Sequence, residues 1–192
     1  NTHSLPYICE PLPHINQDLR SELSIPTNAK VFGCYGGSTE FNIHFVHQAI
    51  KKIVDERSDI YFVFMNVNKF CEDHEQIIHL PGSYDMIYKS KFVNTCDAML
   101  HARFGGETFG LAVAEFAQSN KPVITYELSG EANHIEMLGK RGIYYRNYDD
   151  LKDILNNIDS YIKYDDYYKS YKDNSPETIM RKFDNFIKGK IQ

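Results

Sequence analysis

One stretch near the middle of the chain carries the residue types best suited to chemistry. It reads Asp97-Ala-Met-Leu-His-Ala-Arg-Phe-Gly-Gly-Glu-Thr-Phe-Gly-Leu-Ala-Val-Ala-Glu115. An apolar run ends in a Gly105-Gly106 turn, and Thr108 stands where a helix beginning at Phe109 needs its N-cap. The first amides of that helix, those of Phe109, Gly110 and Leu111, have no intrahelical acceptor and sit at the positive end of its dipole. They make an anion site suited to a diphosphate. Gly110 has no side chain where a ligand would approach closely. Glu107 lies at the lip of the helix and Glu115 about two turns in. Both carboxylates also have a structural reading. Glu115, Gln118 and Ser119 fall at i, i+3 and i+4, the spacing of a solvent stripe, and Glu107 would gain from the dipole without any ligand.

Something must hold this segment in place, and the rest of the chain supplies regular elements for it. Strands are expected at 31–35, 60–65, 77–80, 98–102, 122–126 and 142–145, from short apolar runs. Helices are expected at 43–56, 84–94, 109–119, 133–138, 149–162 and 176–187. Run 60–65 is apolar on both faces, as a parallel strand covered by helices requires. Alternation of this kind predicts an α/β fold, a Rossmann-like doubly wound parallel sheet of about six strands. Such sheets bind ligands in the crevice beyond the carboxyl ends of their strands.

The 192 residues suffice for one domain with a sizeable core, and a hydrophobic share of 42% with 24% charged residues is that of a globular protein. Residues 1–29 read as a linker with a few helical turns at 18–23, broken by Pro6, Pro11, Pro13 and Pro26. Residues 30–192 read as the domain itself. A net charge of -5 gives no case for nucleic acid as a partner. No run approaches the ~20 apolar residues of a transmembrane segment. The chain opens at Asn1 rather than Met, so a piece of a longer protein is expected. Cys9, Cys34, Cys71 and Cys96 lack CxxC spacing and read as reduced thiols in the cytoplasm, with two disulfides as the alternative. His44 and His47 stand three apart on a helix and read as packed side chains rather than metal ligands.

The central segment resembles the Glu-x7-Glu element of retaining GT-B glycosyltransferases, the group 1 family. Seven residues separate Glu107 from Glu115, and Asn120-Lys121-Pro122-Val123-Ile124 is similar to the family's Gly-x-Pro-Val-Ile. Asn120 replaces the usual Gly and is the next-best residue for a left-handed helix end. Leu80-Pro81-Gly82 resembles the family's turn near the nucleotide base, Ser129-Gly130 a donor-side loop, and 19–33 the lead-in to the first strand. Ordered matches run from about Leu19 to Leu155. The resemblance implies the donor-binding lobe of a two-lobed enzyme, with a nucleotide-sugar as donor, an unknown acceptor (glycan, lipid or protein) and an N-terminal lobe as partner. It implies no metal and no cofactor, and a place in the cytoplasm, free or peripheral to a membrane. Glu107 would bind donor-sugar hydroxyls and Glu115 the ribose. The amides of Phe109, Gly110 and Leu111 would take the diphosphate, with Gly33, Gly82, Gly106 and Thr108 completing the donor site. An isolated lobe is expected not to transfer sugar.

One departure stands out. The family's Arg and Lys after the first strand's glycine are absent, since Gly33 is followed by Cys34 and residues 34–42 hold no basic side chain. Arg103, on the same rim as Glu107, is the substitute expected to serve the catalytic site, its other reading being a solvent-facing loop charge. Without that pair a non-catalytic nucleotide-sugar-binding module is the alternative. A nicotinamide enzyme fits less well: Gly33-x-x-Gly36-Gly37 is not GxGxxG, and the second strand ends in Met65-Asn66 rather than an acid. Tyr161, Tyr164, Tyr168 and Tyr171, interleaved with lysines, read as a packed amphipathic helix, or else as a membrane or glycan contact.

Overall fold

In the computed structural model, which describes residues 7–188, the elements in chain order are β1 (Lys30–Tyr35), α1 (His44–Glu56), β2 (Ile60–Met65), β3 (Ile77–Leu80), α2 (Met86–Thr95) and β4 (Ala98–His101). There follow β5 (Gly106–Glu107), α3 (Leu111–Gln118), β6 (Val123–Tyr126), β7 (Glu131–Ala132), α4 (Asn133–Leu138) and β8 (Ile143–Tyr145). The chain closes through α5 (Tyr148–Asn156), α6 (Ile158–Tyr161), a 3-10 segment Tyr167–Asn174 and α7 (Pro176–Ile187).

Six strands pair in parallel in the order β3-β2-β1-β4-β6-β8. The chain first steps outward from β1 to β3, then crosses back and steps the other way from β4 to β8. Right-handed crossovers therefore place α1 on one face of the sheet and α2, α3 and α4 on the other. Tyr35 shows the second face directly, packing its ring against Phe92 of α2 and Phe116 of α3 at 5.5 Å each. The order of strand addition reverses between β1 and β4, which is the switch point where such sheets open a crevice. The strands read from sequence agree with these to within a residue at each end.

Several elements differ from the sequence reading. Residues 18–23 form one turn, closed by Leu23 N donating to Leu19 O at 2.9 Å, rather than a helix. Residues 7–29 do not behave as a linker. Cys9, Leu12, Leu19, Ile25 and Ala29 are buried in the common core. Residues 1–6 and 189–192 lie outside the described part. The helix expected at 149–162 breaks at Asn157, whose φ of -125° and ψ of 30° are not helical. The tyrosine-rich tail folds as a kinked 3-10 segment, with Tyr171 buried against Phe109 and Tyr168 exposed. Packing therefore governs it, though without one continuous helix.

The tail is tied down at Asn120. This residue takes the left-handed conformation (φ 59°) expected of it, and Lys121 N reaches back to Phe116 O at 3.0 Å. Its side chain donates to Asp165 O and accepts from Tyr167 N, both at 2.8 Å.

Gly33 has a packing role. A Cβ there would stand 2.2 Å from Cys96 Sγ and 3.3 Å from Phe92 Cε1. Gly33→Ala is expected to destabilise the fold by ~1–3 kcal/mol through overpacking, and Cys96→Ala in the same chain to recover much of that loss. Denaturant midpoints of the two single variants and the double variant check this; simple additivity would show that the two sites do not touch.

Candidate functional site

A cavity of about 340 Å³ opens beyond the carboxyl ends of β1 and β4. Its walls are residues 34–37 with Glu40 and Phe41, then residues 101–103, then residues 107–112 leading into α3. Hydrogen bonds between loops hold these walls together. Asn42 N donates to Ala102 O at 2.9 Å, and Phe104 N donates to Asn42 Oδ1 at 2.8 Å. Glu131 N donates to Gly105 O at 2.8 Å, and β5 pairs with β7 through Gly106↔Glu131 and Glu107↔Ala132. Gly106 adopts φ 70°, and a Cβ on it would fall 1.9 Å from Glu131 O. Glycine is required there to let the two short strands meet.

The start of α3 differs from the sequence reading. Thr108 does not cap the helix. Gly110 is the N-cap, in the left-handed conformation (φ 83°, ψ 70°) that glycine adopts at least cost. A Cβ there would also lie 3.3 Å from Glu107 and from His134. That turn delays the helix by two residues, so Ala114 N makes the first return bond, to Gly110 O at 2.9 Å. The free amides are thus those of Leu111, Ala112 and Val113, and of these residues Leu111 and Ala112 line the cavity. Phe109 lines it too, but ahead of the helix, where its ring packs 5.3 Å from Tyr7.

Glu107 and Arg103 meet in the cavity wall. Arg103 Nη1 donates to Glu107 Oε2 at 2.7 Å, while its Nε forms an ion pair with Glu40. Glu40 is the one charged residue in 34–42, so the loop after β1 is acidic as well as without a basic side chain. Burial alone would raise the Glu107 pKa. The hydrogen bond from His101, with the Arg103 charge beside it, outweighs burial and holds the carboxyl below its ordinary value.

Glu115 is placed elsewhere. Tyr35 Oη donates to its Oε2 at 2.5 Å, and Lys89 Nζ donates to its Oε1 at 2.6 Å. Its side chain is buried under Tyr35 and is not part of the cavity lining. The solvent-stripe reading of Glu115 does not hold. Gly33 and Gly82 also lie off the cavity, the first against Cys96 and the second beside Asn66. Cys34 does line it, but burial, then the Glu107 charge, pushes its thiol up to about 12, so it stays protonated and is no nucleophile. All four cysteines are unpaired. His47 stacks on Phe70 at 4.3 Å, and among the described residues no cluster of His, Cys, Asp or Glu could hold a metal.

Behind Glu107 lies a polar line that the sequence did not announce. His101 and Thr125 are register partners on adjacent strands, and His134 at the start of α4 completes the line. Burial pushes the His134 imidazole down to about 4, with His101 adding to the shift and Glu107 opposing it. An unfolded chain takes up that proton near 6.5, so the stabilisation is complete above that pH and is lost as pH falls toward 4. At about 1.4 kcal/mol per unit, the loss should reach up to about 3 kcal/mol. His134→Gln is expected to flatten this part of the stability profile, leaving the smaller slope of His47 and His79, which burial also depresses. Urea unfolding across that pH range checks it.

The sequence model described as "Glycosyl transferases group 1" matches residues 16–178. Among solved structures, HepE of Anabaena in complex with UDP-glucose superposes with a TM-score of 0.68 at 17% identity, over 89% of this chain and 51% of that one. WaaG, a glycosyltransferase involved in lipopolysaccharide biosynthesis, gives 0.67 at 15%, over 96% and 56%. A glycosyltransferase from Rickettsia africae gives 0.64 at 17%, over 88% and 50%. The chain thus spans about half the length of each. No curated protein matches it. With most of its residues covered by that family's sequence pattern, and with the sheet of a GT-B lobe, the chain belongs to the group 1 glycosyl transferases.

Proposed function

We propose that this chain binds the nucleotide-sugar donor of a retaining, metal-independent glycosyl transfer, and that an N-terminal lobe supplies the acceptor. One observation carries the reading. The free amides of Leu111 and Ala112 and the Glu107–Arg103 pair converge on one cavity at the sheet's switch point. Family membership supports the reading, as does HepE, a relative in fold that holds UDP-glucose. The unpaired cysteines suit a reducing compartment such as the cytoplasm. Among the described residues no helix is long and apolar enough to cross a membrane.

In this reading the α3 amides donate to the diphosphate and Glu107 accepts hydrogen bonds from sugar hydroxyls. Glu115 lies outside the cavity lining, so its contact with the ribose requires the donor to displace Tyr35 or Lys89 from it. As the bond from the anomeric carbon to the diphosphate oxygen breaks, negative charge grows on the leaving group. Donors already aimed at it stabilise that charge without reorganising. The amides contribute ~0.3–1 kcal/mol per contact, or up to ~2 when partly buried. Arg103 would supply the rest, yet it already serves two carboxylates, Glu40 and Glu107. Glu40 therefore favours a second reading, a module that binds the nucleotide-sugar without transferring it. The chain alone is expected to bind donor without turnover in either case. An assay with the N-terminal lobe present separates the two.

Two sets of variants test the donor site by calorimetry. Glu107→Ala should cost ~1.5–3 kcal/mol for UDP-glucose and clearly less for UDP; equal losses would remove its sugar-binding role. Arg103→Ala should weaken UDP far more than uridine, with the gap narrowing at high salt. Glu40→Gln should strengthen UDP binding, because it releases the guanidinium. Unchanged UDP affinity in both the Arg103 and the Glu40 variants would place the phosphate cation elsewhere.

A further inference from the structure

The buried line behind Glu107 fixes where its protons can sit. His101 Nε2 lies 3.3 Å from Glu107 Oε1, and His101 Nδ1 lies 2.9 Å from Thr125 Oγ1. Thr125 Oγ1 in turn lies 3.0 Å from His134 Nε2, and His134 Nδ1 makes no well-formed hydrogen bond, though the ring feels the Glu107 backbone carbonyl. Thr125 and His134 are fully buried, and His101 nearly so.

A threonine hydroxyl carries one proton, so between two neutral imidazoles it donates to one and accepts from the other. Two orders are available. In the first, His134 Nε2–H donates to Thr125, Thr125 O–H donates to His101 Nδ1, and His101 Nε2–H donates to Glu107. Every buried donor then has an acceptor, and the one unmatched atom is the His134 Nδ1 lone pair. In the reverse order the Nε2 lone pair of neutral His101 faces a carboxylate oxygen, and the buried Nδ1–H of His134 has only the poorly aligned Glu107 carbonyl to receive it. Protonating His101 at both nitrogens repairs the first fault, but it buries a charge and leaves the second. The first order costs least.

We infer that Thr125, oriented by His134, fixes the His101 proton on Nε2 and so makes His101 the donor that positions the Glu107 carboxylate. Arg103 holds Oε2 from the loop side, and His101 holds Oε1 from the sheet. Thr125 and His134 are positioning residues, since neither lines the cavity. The consequence for sugar binding rests on the donor-site reading above. The proton order does not.

The test uses the whole chain labelled with ¹⁵N-histidine and ¹³C-glutamate, in three forms: wild type, Thr125→Val and Thr125→Ser. Signals are assigned with His101→Asn and Glu107→Gln. At neutral pH His101 should be the neutral Nε2–H tautomer in the wild type and in Thr125→Ser. Thr125→Val, nearly isosteric but without the hydroxyl, should add a clear Nδ1–H population and raise the Glu107 titration midpoint. It should also cut the preference for UDP-glucose over UDP by about fivefold, the size of one neutral hydrogen bond. An imidazolium or Nδ1–H form of His101 in the wild type overturns the inference. So does a Thr125→Val chain whose His101 tautomer and Glu107 midpoint are those of the wild type. If the wild type shows no preference for UDP-glucose over UDP, the donor-site reading fails, and the spectra alone decide the proton order. If Thr125→Val shifts the spectra but keeps the full preference, the role in sugar binding is overturned.

Discussion

Everything at the site depends on how β1 is held against β4. Their pairing has only two register rungs, Phe32↔Ala98 and Gly33↔Met99, yet the cavity exists because the order of strand addition reverses there. Asp97 reinforces the junction. Its Oδ2 accepts from Val31 N at 2.7 Å and from Arg20 Nη2 at 2.9 Å. The same guanidinium donates to the carbonyls of Thr95 and Ala29. A partly buried arginine with a carboxylate and several carbonyls around it loses few of its hydrogen bonds on leaving water. This brace explains why residues 19–29 belong to the domain rather than to a linker, and why β4 delivers His101 and Arg103 at the height of the β1 loop.

The fold was legible because its central strands β1, β2, β4 and β6 are short apolar runs buried on both faces, a pattern that neither a surface helix nor a loop sustains. The left-handed turn at Asn120 could also be read, since it depends on that residue's own backbone preference. What escaped depends on contacts between distant segments. β5 and β7 have two residues each and no hydrophobic pattern, and only the pairing of Gly106 with Glu131 makes them strands. α3 begins late because Gly110 turns left-handed, and a side chain there would crowd Glu107 and His134, neither adjacent to it in the sequence.

The site itself was half legible. Glu107 and Arg103 lie four apart in one conspicuous segment, so their pairing needed little foresight. Glu40, Thr125 and His134 come from three other loops and strands. Thr125 looked like an ordinary strand residue until register set it beside His101. Glu115 was found, but its partners Tyr35 and Lys89 were not, because 80 and 26 positions separate them from it. The outcome is a site richer in carboxylate than an anionic ligand would require. Its binding strength therefore depends on which partner Arg103 keeps.

The buried thiol in the cavity wall gives the molecule a built-in clock. Cys34 sits at the end of β1, 6% exposed and held as a thiol, while Cys71 is the cysteine with appreciable exposure. A thiol reagent added to the native chain would consume Cys71 first and reach Cys34 only during excursions that part the β1 loop from its neighbours. The rate of that second reaction counts those excursions. A molecule seated in the cavity would slow the count in proportion to its occupancy, so alkylation kinetics would register occupancy without any sugar being transferred.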